Sequence, residues 1–173
     1  MRMKKKPIYL WVLLILSALC SAYSLLGVLV PIPKMDHLPT IKGVSTEYNK
    51  QMVAYTIKIA EHNHSLLNVI LIVLSAVLVT VALVYLVRDN IQLANYIYIG
   101  YIFLAIIGTI YNFLGVQQGL ALFTDPNIRM GAGIGANGVI IVFLIINIVF
   151  LTLVFYNMWR QQKELAEASE EQL

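Results

Sequence analysis

The sequence predicts an all-α integral membrane protein: a four-transmembrane-helix bundle with both termini in the cytoplasm and a partly helical first extracytoplasmic loop. Three observations carry that prediction. Of 173 residues, 60% are hydrophobic and 12% charged, and the mean hydropathy is +0.79; soluble globular chains run near roughly 45–50% apolar and about 25% charged. Four apolar stretches reach the length of about 20 residues that crosses a bilayer core as a helix. None of the four contains Asp, Glu, Lys, Arg or His. Third, Arg2, Lys4, Lys5 and Lys6 cluster ahead of the first stretch, and Lys and Arg mark the cytoplasmic side of a span.

Taken in order, residues 1–7 form a basic cytoplasmic N-terminus and residues 8–30 the first span. That span is not read as a cleaved leader, because its apolar run exceeds the roughly 7–15 residues of a signal h-region. Nor is Cys20 read as a lipidation site, since Leu19 precedes it where a small residue is needed. Residues 31–65 form the larger extracytoplasmic loop, opened by Pro31, Pro33 and Pro39. Within it, residues 46–64 are helix-compatible and lead into the second span, so that one helix is expected to start outside and continue inward. Met52, Val53, Thr56, Ile57, Ile59 and Ala60 share one side of it, and Lys50, Tyr55, Lys58 and His62 another.

The second span covers residues 66–87, and Arg88-Asp89-Asn90 makes a tight cytoplasmic turn into the third, residues 91–116. Asp89 or Asn90 can cap the third helix, because a short side-chain oxygen accepts its unpaired N–H groups. Residues 117–138 read as an extracytoplasmic Gly-rich loop with a turn signal at Thr124-Asp-Pro-Asn. Residues 139–159 form the fourth span, and residues 160–173 an acidic cytoplasmic tail. Tyr9, Trp11, Tyr85, Tyr156 and Trp159 fall near the cytoplasmic interface, where amphipathic rings prefer to sit.

The third span carries the most informative pattern. Ala94, Tyr98, Tyr101, Ala105, Gly108, Asn112, Gly115 and Gly119 follow alternating steps of four and three, which keeps them on one helix face. All are small or polar. Lipid does not reward hydrophobic association, so membrane helices meet through small residues and interhelical hydrogen bonds. The face reads as a packing surface, or as the wall of a cavity in which Tyr98, Tyr101 and Asn112 touch a ligand. Ser17, Ser21 and Ser24 on the first span, Asn68 and Ser75 on the second, and Asn147 on the fourth supply further neutral polar groups. A buried amide must find partners in hydrocarbon, so the asparagines are expected to point inward.

The sequence excludes more than it assigns. Proton-coupled transporters keep an ionisable residue within the bilayer, and a Ser/His membrane protease needs a histidine there; the spans have neither. Head-group transfer through metal ions needs clustered carboxylates, and a thiol relay needs paired cysteines, whereas Cys20 is alone. The glycines at 131–138 lack the Lys-Ser/Thr ending of a phosphate loop. His37, His62 and His64, with Asp36 and Glu61, make a poor zinc set, because His62 and His64 at i,i+2 do not share a helix face. No catalytic residue, metal site or cofactor is expected.

The expectation for function is therefore non-catalytic: an accessory or assembly subunit of a plasma membrane, bacterial by its compact form and basic leader, that binds another membrane protein or its own copies. The alternatives are an oligomeric small-solute transporter or channel component, and a peptide- or lipid-binding immunity or resistance protein. Nucleic acid is not an expected partner.

Overall fold

A computed structural model describes residues 8–33 and 45–170, with side chains described through Lys163. The basic N-terminal cluster, Asp36 and His37 lie outside the described residues, and the acidic tail lies partly outside them. Among the described residues there are five helices: α1 (Ile8–Leu29), α2 (Thr46–Asn63), α3 (Leu66–Val87), α4 (Ile91–Leu120) and α5 (Pro126–Glu170). Four of them, α1, α3, α4 and α5, are long and apolar enough to cross a membrane.

The closest pairings are α3 with α4, α4 with α5 and α1 with α3, while α2 packs on α4. α1 and α5 are not a closely packed pair. The antiparallel α3–α4 pairing follows from its turn. The N–H of Asp89 bonds the Leu86 carbonyl (3.1 Å) and that of Asn90 the Tyr85 carbonyl (2.9 Å), the Schellman pattern that closes a helix C-terminus. Asp89 takes the left-handed position, with φ 58°. Asn90 then caps α4, its Oδ1 accepting from the Leu93 N–H at 3.3 Å.

The dense core lies toward this turn. Leu10, Leu13 and Leu14 of α1, Val79, Ala82 and Leu86 of α3, Ala94, Tyr98, Tyr101 and Ile102 of α4, and Val154 of α5 pack together. Outward, α1, α3, α4 and α5 expose Leu, Ile, Val and Phe. In the most apolar stretch of α5 only 6% of residues are buried. A helix apolar on its outward face is matched to hydrocarbon.

Three boundaries differ from the sequence expectation. The Gly-rich loop expected at 117–138 shrinks to residues 121–125, because α4 continues to Leu120 and α5 starts at Pro126. Proline is favoured at a first helical position, and the Asp125 carboxylate accepts from the Asn127 N–H at 2.8 Å. Once that turn is closed, adding residues is easier than starting a helix, and Gly131, Gly133, Gly135 and Gly138 are carried along despite their poor propensity. Arg129 covers the end of α4, donating to the Leu120 and Ala121 carbonyls (3.1 and 3.0 Å). The third difference is between α2 and α3. They are not one continuous helix: Ser65 is extended (φ −60°, ψ 143°) and its side chain starts α3 by accepting from the Asn68 N–H.

Candidate functional site

The small and polar face of α4 meets three different environments along its length. Ala94, Tyr98 and Tyr101 are buried in the core near the turn. Tyr101, Ala105, Gly108 and Asn112 line a cavity. Gly115 and Gly119 lie beneath α2. One face therefore packs, encloses space and receives a helix in succession.

The cavity has a volume of about 520 Å³ and is walled by α1, α3, α4 and α5. Its polar lining comprises Ser17, Ser21 and Ser24 from α1, Asn68 and Ser75 from α3, Tyr101, Thr109 and Asn112 from α4, and Asn147 from α5. Leu71, Ile72, Leu104, Ile140, Phe143 and Phe150 supply apolar wall. The lining contains no Asp, Glu, Lys, Arg or His. Cys20 is exposed and lines it from α1.

Its floor is a hydrogen-bonded aromatic layer. The Tyr98 and Ser17 hydroxyls are 2.9 Å apart, and the Tyr98 and Tyr101 rings stack at 5.5 Å. The Tyr101 phenol turns toward Ser21 and Ser17. Below this layer, Tyr9 donates to the Asn95 Oδ1 (3.2 Å) and accepts from Gln161 (3.5 Å). That chain ties α1, α4 and α5 together at the turn end. Toward α2, Asn68 is only 3% exposed and donates to the Asn63 carbonyl at 2.8 Å. The Asn112 Oδ1 is buried with no hydrogen-bond partner.

α2 lies over the far end of α4. The His62 ring stacks on Tyr111 at 4.3 Å, and a Cβ on Gly115 would overlap that imidazole. Tyr55 and Ile59 sit against Gly119 so closely that a Cβ there would be 3.0–3.1 Å from them. Tyr55 also meets Phe123 at 5.5 Å. Gln51 clamps the α4–α5 connection: its Nε2 donates to the Thr124 Oγ1 (2.8 Å), and its Oε1 accepts from the Thr124 N–H (3.3 Å). The packed face is thus Gln51, Tyr55, Ile59 and His62. It draws on both sides of α2 distinguished in the sequence, because the glycines of α4 admit the rings of Tyr55 and His62.

Among the described residues, His62 and His64 both make intramolecular contacts. Burial, reinforced by the neighbouring Lys58 ammonium, holds the His62 imidazole below the usual histidine range, and its Nε2 is buried without a partner. The His64 ring lies between the Ala60 and Val30 carbonyls, 2.8 Å from each, and so joins the end of α2 to the end of α1. Glu61 pairs with Lys58 at 4.0 Å. Among the described residues, no group of three His, Cys, Asp or Glu could hold a metal ion.

Residues 3–167 match the family model described as "Domain of unknown function (DUF8777)". The chain belongs to that family. No curated protein and no solved structure matches it.

Of the residues singled out in the sequence, Ser17, Ser21, Ser24, Asn68, Ser75, Tyr101, Ala105, Gly108, Asn112 and Asn147 meet around the cavity of this DUF8777 member. Tyr98 lies in the floor and Gly115 beneath α2. Sequence reasoning missed Thr109 and the aromatic wall of Phe143 and Phe150. It also missed the Tyr9–Asn95–Gln161 chain and the Gln51–Thr124 clamp. Gln51 was the most legible of these, as the polar residue one turn ahead of Tyr55 on the same face.

Proposed function

We propose that this protein spans a plasma membrane four times, with both termini cytoplasmic, and binds an uncharged, membrane-soluble molecule between α1, α3, α4 and α5 without chemically changing it. The observation that carries this reading is the cavity of about 520 Å³ to which four helices contribute neutral polar side chains. Ligand sites occupy roughly 300–1,000 Å³ and combine apolar walls with a few placed polar groups. A charged ligand would find no opposite charge in this lining, and burial of an unpaired charge is strongly unfavourable. The test is gentle-detergent purification from native membrane, followed by solvent extraction and mass spectrometry. One small molecule retained near stoichiometric amount supports the reading. A chain that retains only the mixture of bulk lipids contradicts it.

A second reading, the accessory or assembly subunit, is supported by α5. Its apolar stretch is 6% buried, against 22%, 22% and 17% in the other three long helices, leaving a lateral face free for lipid or for a partner helix. Photo-crosslinkers placed at Ile145 and Ile148, both half-exposed, would give a discrete protein adduct on this reading and lipid adducts alone against it. An oligomeric carrier is less favoured, because the Tyr98 layer and the Leu14 and Val154 packing close the cavity toward the turn.

A further inference from the structure

The hydrogen bonds already made by the lining restrict what the cavity can take. The Ser24 hydroxyl donates its only proton to the Cys20 carbonyl (3.1 Å), and the Thr109 hydroxyl donates its own to the Ala105 carbonyl (2.8 Å). Both oxygens are left as acceptors. The Asn68 and Asn147 amides donate to the Asn63 and Phe143 carbonyls, each at 2.8 Å. Each keeps a carbonyl oxygen and one further N–H. With the unpartnered Asn112 Oδ1, these side chains present acceptors that a donating ligand satisfies, while Ser75 and the Asn112 amide of the same lining can still donate. A ligand that only accepts would leave the Asn112, Ser24 and Thr109 oxygens unmatched, and an unmatched buried polar group costs more than a matched one returns. An alcohol donates and accepts at the same atom.

We propose that the cavity binds a neutral lipid whose polar end carries free hydroxyl groups, such as a monoacylglycerol. This rests on the ligand-binding reading above and narrows it to one chemical class. The apolar wall, including Phe143, Phe150 and Leu104, suits the acyl chain. The route of entry is lateral: α1 and α5 are not a close pair, and Cys20 and Ser24 are exposed on the α1 side.

Cys20 is the single cysteine of the chain and lines the cavity, so it reports occupancy. The full-length protein in detergent is labelled with N-ethylmaleimide alone, with 1-dodecanoylglycerol, with its di-O-methyl ether, or with dodecanoate at equal concentration. The expected result is labelling slowed about tenfold by the diol and little changed by the ether or the anion; one lost hydrogen-bond match of about 1.4 kcal/mol corresponds to that factor. Thr109→Val and Ser24→Ala should bring protection by the diol down to that by the ether. Equal protection by diol and ether overturns the hydroxyl assignment and leaves the ligand-binding reading standing. Protection by none of the three overturns it too, and the extraction from native membrane then decides separately whether the cavity binds anything. Thr109→Val keeps the side-chain volume, and Ser24 is exposed, so neither result depends on a disrupted fold.

Discussion

A methyl group added to Gly115 would overlap the His62 imidazole, whereas one added to Gly108 would meet nothing within 4 Å. Two glycines seven residues apart, about two helical turns, therefore predict opposite outcomes. Gly115→Ala should loosen α2 at a cost of about 1–3 kcal/mol, as overpacking does, read as faster hydrogen exchange across Thr46–Asn63. Gly108→Ala should raise the thermal midpoint, with about 0.5–1 kcal/mol gained from helix propensity. His62 adds a pH dependence to the same contact. Its folded-state pKa lies below the ordinary value of 6.5, so the docked form binds fewer protons than the released one. Docking is at full strength above that value and weakens as pH falls through it toward the lower, docked-state value. The protection factors of the α2 amides, which discount the intrinsic slowing of exchange in acid, should fall as pH drops below 6.5, and His62→Phe should remove most of that dependence.

The α3–α4 turn offers a cleaner test of an element boundary. Asp89 occupies the left-handed position of a Schellman closure that glycine fills without strain. Asp89→Gly should stabilise the bundle by about 1 kcal/mol, measured as a raised thermal midpoint in detergent. α2 through its Gln51 clamp behaves in the opposite sense: Gln51→Leu removes both bonds to Thr124 and should cost about 1–3 kcal/mol locally. The long helices were legible because hydrocarbon imposes one requirement on every spanning residue, so an uninterrupted apolar run has few other outcomes. The start of α5 was not legible. Gly131, Gly133, Gly135 and Gly138 lower helix propensity one by one, and what overrides them is the closed turn at Pro126, the Arg129 cover on α4 and the fit of Gly133 beside Leu120. Those are tertiary effects. The direction of α2 was hidden for the same reason, since its seat is made by glycines some fifty residues away.

Assembled, the molecule is a bundle closed at the turn end by Leu14, Ala82, Tyr98 and Val154, hollow above that layer, and covered at the far end of α4 by α2. The polar residues that mark the hollow could be found from spacing alone on α4, because alternate steps of three and four define a face. Their convergence with Ser21, Asn68 and Asn147 could not, since it depends on how four helices rotate against one another. The chemistry of the hollow was hidden further still, because it turns on which hydroxyl protons are already engaged along the helices. Native mass spectrometry of the intact wild-type chain beside Gly108→Phe addresses the proposed binding role. A Cβ at this position meets nothing within 4 Å, and a ring built on it is aimed to fill the cavity that Gly108 lines. The account predicts a single small-molecule adduct on the wild type and its loss from a Gly108→Phe chain that remains folded. The same adduct on both chains, or on neither, would contradict it.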